Sequence, residues 1–343
     1  MSTIGAVLVG FPLAAFAWAY LAYPATLWVA ARFRRSRHQP SGDPEEWPSV
    51  SISLPAYNEE AQIGGALDAI LELDYPRDRL QVLVVSDASS DRTDEIVRSY
   101  AERGVELLRI EGRGGKTAAE NAAAPHLRGD IVVNTDASIR LRPGSLKPLV
   151  RALDDPTVGV ASGRDISIAR DEDANLGEGG YVGYEMWVRS LESDTGTIVG
   201  ASGCYYATRR ELHLPPEPPN LSRDFASALR ARERGYRSVH VPDAVCLVPR
   251  SGSMTRETGR KGRTMSRGLA TLGYHRGLLN PLRYGSFALK LFSHKLCRWL
   301  VFLLAPLALP GLALLATESS LALAVLAVVS AGLLVGWWGL GRT

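Results

Sequence analysis

The sequence predicts an α/β domain built on a mostly parallel sheet, carried between one N-terminal and two C-terminal transmembrane helices. Two observations predict it. From Val50 to about Pro242, short apolar runs alternate with amphipathic ones, the βαβ pattern that lays helices on both faces of a parallel sheet. The charge is also segregated. Of 39 Lys+Arg and 36 Asp+Glu in 343 residues, only Glu318 and Arg342 fall outside residues 32–298. That segregation excludes a simple soluble enzyme, a disordered chain and a polytopic transporter. The net charge of +3 is too small to argue for a nucleic acid partner. Cys204, Cys246 and Cys297 are scattered and odd in number. They offer neither metal spacing nor a disulfide framework, which fits a reducing compartment.

Residues 1–31 form the first predicted span, uncharged throughout. About 20 residues at about 1.5 Å each cross a bilayer core, so there is length to spare. Tyr23 and Trp28 suit an interface. A cleaved signal peptide would need a basic residue ahead of a shorter apolar run. Arg32, Arg34, Arg35 and Arg37 open a basic linker over 32–47. Such a cluster stays cytoplasmic, which puts the N-terminus outside and the following domain, 48–280, inside, at the inner membrane of a cell.

Within that domain, strands are expected at 51–54, 81–86, 106–110 and 130–134, and helices at 61–73, 93–102 and 116–127. The helix around 181–193 carries Glu185, Arg189 and Glu192 on one face, as a salt-bridged surface would. Residues 281–298 mix Leu, Phe and Tyr with Arg283, Lys290, Lys295 and Arg298, the composition of an interfacial segment on membrane lipid. Residues 299–340 hold two uncharged runs broken only at 317–320, a transmembrane hairpin with both ends in the cytoplasm.

In a parallel α/β sheet, ligands bind beyond the carboxyl ends of the strands. The four predicted strands are followed by Pro55-Ala56-Tyr57-Asn58-Glu59-Glu60, by Asp87 to Asp91, by Gly112 to Lys116, and by Thr135 to Ser138. An aromatic, carboxylates, a glycine turn and a lysine on one edge suit a nucleotide diphosphate with a divalent metal. Taken singly, each acid is better read as a helix cap, Asp91 above all. Rival motifs fail. A P-loop ending at Gly115-Lys116-Thr117 needs glycine where Ile110 stands, and no G-x-G-x-x-G follows the first strand.

The motifs LPAYNEE at 54–60, VSDASSD at 85–91, GGK at 114–116 and Thr135-Asp136, in that order and spacing, resemble glycosyltransferase family 2 over about residues 48–270. The flanking helices resemble its membrane-bound bacterial branch. The resemblance implies a GT-A-type, Rossmann-like fold, a nucleotide-sugar donor taken as UDP-linked, and inversion at the anomeric carbon. It implies donor contacts from Pro55, Tyr57, Glu59, Asp87, Lys116, Asp136 and Arg263, and Mg²⁺ or Mn²⁺ at Asp136 and Ser138. It places Gly203, Cys204 and Arg209 on the acceptor side and makes Asp224 the catalytic base.

The sequence departs from the family pattern in three places. Ser138 replaces the second acid of the DXD motif, removing an anionic metal ligand. Arg223 precedes Asp224, and pairing between them would weaken the base. Arg260 and Thr264 replace Gln and Trp of Q-x-x-R-W, which argues against processive cellulose-like synthesis. The expected activity is sugar transfer to a glycan or lipid-linked acceptor, for polysaccharide or cell-envelope synthesis. A polyprenyl-phosphate sugar transferase and an inactive sugar-nucleotide-binding subunit are the alternatives. Three helices are few for a private export channel, so an export partner or a homo-oligomer is expected.

Overall fold

The computed structural model describes residues 2–33, 42–169, 176–250 and 254–340. Arg34, Arg35, Arg37 and Arg342, which set the expected orientation, lie outside the described residues. Contacts divide the chain into two units, one of Met1–Ala30, Ser253–Leu269 and Arg276–Thr343, the other of Ala31–Gly252 and Ala270–His275.

The second unit is the sheet domain. β1 (Val50–Ala56), β2 (Leu80–Asp87), β3 (Val105–Ile110) and β4 (Ile131–Thr135) lie where alternation placed strands. They pair in parallel in the order β3-β2-β1-β4. Both faces of these strands are covered, as a parallel sheet requires. Ile52, Leu54, Val82, Val84 and Val133 pack with Ile63, Leu67, Leu146 and Leu149 on one side. Leu83, Val85 and Val132 pack with Ala119, Ala123 and Leu127 on the other.

The remaining half adds antiparallel pairings to the expected parallel ones. The sheet has eight strands and is mixed. β5 (Arg140–Leu141) and β6 (Val158–Ala169) come next, then β7 (Tyr205–Arg209) and β8 (Arg237–Arg250). β7 runs antiparallel to β4 and to β6, β8 runs parallel to β6, and β5 runs antiparallel to β8. The physical reason lies in composition. β6 and β8 contain arginine, aspartate or proline along their length, so neither reads as the continuous apolar run that marks a doubly covered strand.

Helices are shorter than expected where local chemistry ends them. The first covers Ile63–Leu71. The second stops at Arg98, and the chain turns through Gly104 at φ +87°. The third covers Lys116–Ala123 and gives way to a 3₁₀ turn at Pro125, which has no N–H to continue it. The face bearing Arg189 and Glu192 on the helix Leu176–Asp194 is buried rather than a solvated surface. Arg189 lies 3.7 Å from Glu185, and Glu192 accepts from the Val199 N–H.

The first unit is helical. Thr3–Phe33 and Ser286–Ala316 are 31 residues each and apolar enough to cross a membrane. A third helix, Ser320–Leu340, follows a three-residue turn, giving the expected hairpin. The segment read as interfacial begins with a short turn at Pro281–Tyr284 and runs from Ser286 without a break into the hairpin's first helix. Lys290 and Arg298 are consequently buried on that helix, with the Arg298 guanidinium 5.2 Å from the Tyr20 ring centre. Gly5 and Gly311 let the helices touch. A Cβ on Gly311 would stand 2.8 Å from the Leu8 Cβ.

One close approach in the sheet domain is equally demanding. A Cβ on Gly129 would lie 2.4 Å from the Ser51 nitrogen and 2.6 Å from the Val50 carbonyl carbon. Gly129→Ala is expected to destabilise the domain by about 1–3 kcal/mol, the usual range for overpacking. Gly144→Ala, which meets no atom within 4 Å, serves as the control. Thermal unfolding of both variants checks it.

Candidate active site

The site begins at the carboxyl end of β2. Asp87 is buried, and its two oxygens accept from the backbone N–H groups of Gly114 at 2.8 Å and Gly115 at 2.7 Å. Glycine is required at both positions. Gly115 has φ +85°, and a Cβ on Gly114 would meet the Ala118 Cβ at 2.6 Å. Asp87 was expected to contact the donor directly. In the structure its carboxylate first fixes the glycine loop that launches the helix Lys116–Ala123.

The loops after β1 and β2 are joined to each other. The Ser90 N–H donates to Asn58 Oδ1 at 2.8 Å, and the Glu59 N–H to Thr93 Oγ1 at 2.8 Å. Asp91 takes the role expected of it. Its Oδ1 accepts from the Thr93 N–H and hydroxyl, and its Oδ2 accepts from the Glu60 N–H. Pro55 is half-buried in β1 opposite Val85. The Tyr57 ring is covered by the Arg113 guanidinium at 3.9 Å.

At the helix start, Lys116 Nζ donates to Asp136 Oδ1 at 2.5 Å and to the Gly203 carbonyl at 2.9 Å. Asp136 follows β4 directly, and Gly203 precedes β7. Gly203 also abuts Asp224. A Cβ added to it would stand 3.1 Å from Asp224 Oδ2. Asp224 opens the helix Arg223–Glu233, and its other oxygen accepts from the Ser222 hydroxyl at 2.6 Å. Asp136, Lys116, Gly203 and Asp224 therefore meet in one cleft, and Asp87 joins it through the glycine loop. Burial opposes charge on Lys116, yet Asp136, Glu120 and Asp224 together hold its ammonium above the usual lysine range.

The wall beyond Gly203 is braced from β6. The Ser202 hydroxyl donates to Asp165 at 2.6 Å and accepts from the Cys204 N–H at 3.0 Å. Arg209 does not share this wall. It pairs with Ile131, the first residue of β4, and so lies at the opposite end of the strands. Its guanidinium donates to the carbonyls of Val158, Leu153 and Asp155. Three of its five N–H donors go to backbone carbonyls at that end, which corrects the acceptor-side expectation. Arg263 is exposed on the helix Met254–Tyr274 and falls in the helical unit.

A metal fits this site in a limited way. Among the described residues no group of three His, Cys, Asp or Glu side chains converges. Lys116 engages only Oδ1 of Asp136, which leaves Oδ2, and half-buried Ser138 adds a hydroxyl two residues on. One carboxylate and one hydroxyl are hard oxygen donors. They suit Mg²⁺ or Mn²⁺ whose remaining positions are filled by phosphate oxygens and water.

Arg223 turns away from Asp224. Its guanidinium donates to the His213 carbonyl at 2.9 Å and to Asn121 Oδ1, and its Nε lies 3.7 Å from Glu120 Oε2. The feared weakening of the base by direct pairing does not occur. Glu120, one turn beyond Lys116, was missed in the sequence, although its spacing of four puts it on the same helix face. Burial pushes its carboxyl up to about 7, against the pull of Lys116 and Arg223. Burial, then Arg223 and Arg230, hold the His213 imidazole well below its usual range.

The sequence model of Glycosyl transferase family 2 matches residues 51–213. Among solved structures, the chain is similar to the mannosyltransferase PcManGT from Pyrobaculum calidifontis, in complex with GDP-Man and Mn²⁺. The TM-score is 0.73 and the identity 30%, covering 95% of this chain and 92% of that one. An N-acetylglucosaminyltransferase of Rhizobium sp. (strain N33) is 27% identical over 223 residues, 59% of this chain and 48% of the relative. A beta-monoglucosyldiacylglycerol synthase of Synechocystis sp. is 32% identical over 159 residues, 44% of this chain and 33% of that protein. The matches span about half or less of the length of these curated relatives.

Glu120 gives the site a pH signature. Its folded carboxyl, at about 7, holds a proton more tightly than the unfolded one at 4.5. Folding stability from this group is full below 4.5 and is lost as pH rises towards about 7. Denaturant unfolding across that window is expected to show a downward slope in the native chain that Glu120→Gln flattens.

Proposed function

The chain belongs to glycosyl transferase family 2, and on that premise we propose that it is a membrane-bound, inverting glycosyltransferase. It moves a sugar from a nucleoside-diphosphate donor to a hydroxyl of a glycan or lipid-linked acceptor. The observation that carries this reading is the Lys116 ammonium, which ties Asp136 and Gly203 together beside Asp224. A cation, a metal-binding carboxylate and a base within one cleft are what a departing diphosphate and an attacking hydroxyl require.

The donor base lies against Tyr57, with Arg113 adjusting over the ring, and Pro55 and Glu59 shape the same loop. Asp87 keeps the glycine loop close enough for Lys116 to meet the diphosphate. The acceptor hydroxyl approaches along Gly203 and Cys204. Its oxygen forms a bond to the anomeric carbon as the bond from that carbon to the phosphate oxygen breaks, and its proton passes to Asp224. The Ser222 hydroxyl holds one carboxylate oxygen of Asp224, which leaves Oδ2, the oxygen facing Gly203, for the proton. A divalent ion held by Asp136 and Ser138 offsets charge on the leaving diphosphate when bound. No protein nucleophile is needed.

The helices Thr3–Phe33 and Ser286–Ala316 support a place in the inner membrane, with the hairpin completed by Ser320–Leu340. On this reading the sheet domain faces the cytoplasm, where sugar nucleotides are made. Membrane association favours acceptors anchored in lipid, polyprenyl phosphates included, and export of a longer glycan falls to a partner or an oligomer. The alternative of an inert binding subunit leaves the assembly of Lys116, Asp136 and Asp224 without a purpose.

Incubation of the purified protein with GDP-mannose, UDP-glucose and UDP-N-acetylglucosamine, read as nucleoside diphosphate release and product mass, tests the activity. Asp224→Asn is expected to slow transfer by about 10²–10⁴-fold, the usual yield of a general base, while donor binding persists. Full activity in that variant removes Asp224 from the base role. Asp136→Ala is expected to abolish the Mn²⁺ dependence of donor binding in calorimetry. Donor affinity indifferent to both chelator and this substitution removes the metal from Asp136.

A further inference from the structure

The helix Lys116–Ala123 turns Lys116, Thr117, Glu120 and Asn121 towards the segment that leads into Asp224. Thr117 Oγ1 donates to the Leu221 carbonyl at 2.8 Å. Asn121 Nδ2 donates to the Glu217 carbonyl at 2.7 Å, and its Oδ1 accepts from the Glu217 N–H at 3.0 Å and from Arg223. These contacts fasten the backbone of 217–221. The remaining contact joins side chains next to the two chemical groups themselves. Glu120 lies one turn from Lys116, and Arg223 is bonded to Asp224.

Both side chains are enclosed, with 1% of Glu120 and 3% of Arg223 accessible. Among the described residues neither Glu120 oxygen has a hydrogen-bond partner. Arg223, at 3.7 Å, is the ion pair that holds the carboxylate. A buried ion pair is a poor device for stability, since apolar side chains of the same volume serve as well or better. Its direction and range are what apolar packing lacks.

We propose that Glu120 and Arg223 are a positioning pair that sets the separation of Lys116 from Asp224, and so of leaving group from base. Neither touches the reacting atoms. The groups facing Glu120 are Lys116 on its own helix, Arg223 and Asp224 on the helix Arg223–Glu233, Asp136 after β4, and Tyr206 on β7. With Glu120 ionised, two cations among three acids leave one negative charge in excess there. The proposal rests on the roles given to Lys116 and Asp224 above.

The test compares Glu120→Gln, Arg223→Gln, the exchange Glu120→Arg with Arg223→Glu, and the apolar double variant Glu120→Leu with Arg223→Met. Full-length proteins are assayed at pH 8, where Glu120 is ionised, with GDP-mannose and with UDP-N-acetylglucosamine. Each single variant is expected to lose about tenfold or more in kcat while donor KM moves less than about threefold. The exchange restores kcat to within about threefold of the native value. The apolar double keeps the native unfolding temperature yet stays slow, and it carries the test if the single variants fail to fold. Single variants at native kcat, an exchange no faster than the slower single variant, or an apolar double at full speed overturns the pair. A native protein that consumes neither donor refutes the donor reading instead, and the pair falls with it.

Discussion

The Lys116 ammonium is the interaction on which the cleft depends. It sits between the Asp136 carboxylate and the Gly203 carbonyl, so one side chain ties the end of β4 to the turn before β7. Those two strands are antiparallel neighbours, and the tie lies just past the end at which Thr135 pairs with Tyr205. A cation there does more than balance charge. It holds the only described acid of the metal motif beside the turn that carries Gly203, and Gly203 is in turn pressed against Asp224. On the function proposed above, a diphosphate is the stronger anion for the same ammonium to meet.

Much of the first half of the site was legible in the sequence. Parallel strands are apolar on both faces, so polar residues after them stand out, and the strand-end positions of Tyr57, Asp87, Lys116 and Asp136 are legible that way. The second half resisted for a physical reason. β6 and β8 are long, partly solvated and interrupted by arginine, aspartate or proline, and β7 runs antiparallel to its neighbours, so neither periodicity nor apolar content marks them. Arg209 illustrates the consequence. It follows the Gly203 segment closely in sequence, but one strand length carries it to the far edge of the sheet.

Side-chain direction was the other blind spot. A sequence places Arg223 next to Asp224, yet on a helix adjacent residues face directions about 100° apart, and this one turns inward to Glu120 and Asn121. Arg113 over Tyr57 and the two glycine amides on Asp87 are the same kind of fact. Each is a loop closing on a strand end that lies more than 25 residues away along the chain. The roles of Asp87 and Arg113 therefore become readable only once β1, β2 and the glycine loop are laid side by side.

The contact between Gly5 and Gly311 has a bearing on biogenesis. The two residues are separated by nearly the whole chain, with the sheet domain encoded between them. A ribosome adding about 5–20 residues per second reaches Gly311 some tens of seconds after Gly5. During that interval the first helix waits alone, its small-residue face uncovered, while the intervening domain emerges and acquires its own core. Closure of the helical unit is then the last event of assembly, so a chain truncated before Ser286 leaves Gly5 without the surface it was shaped to meet.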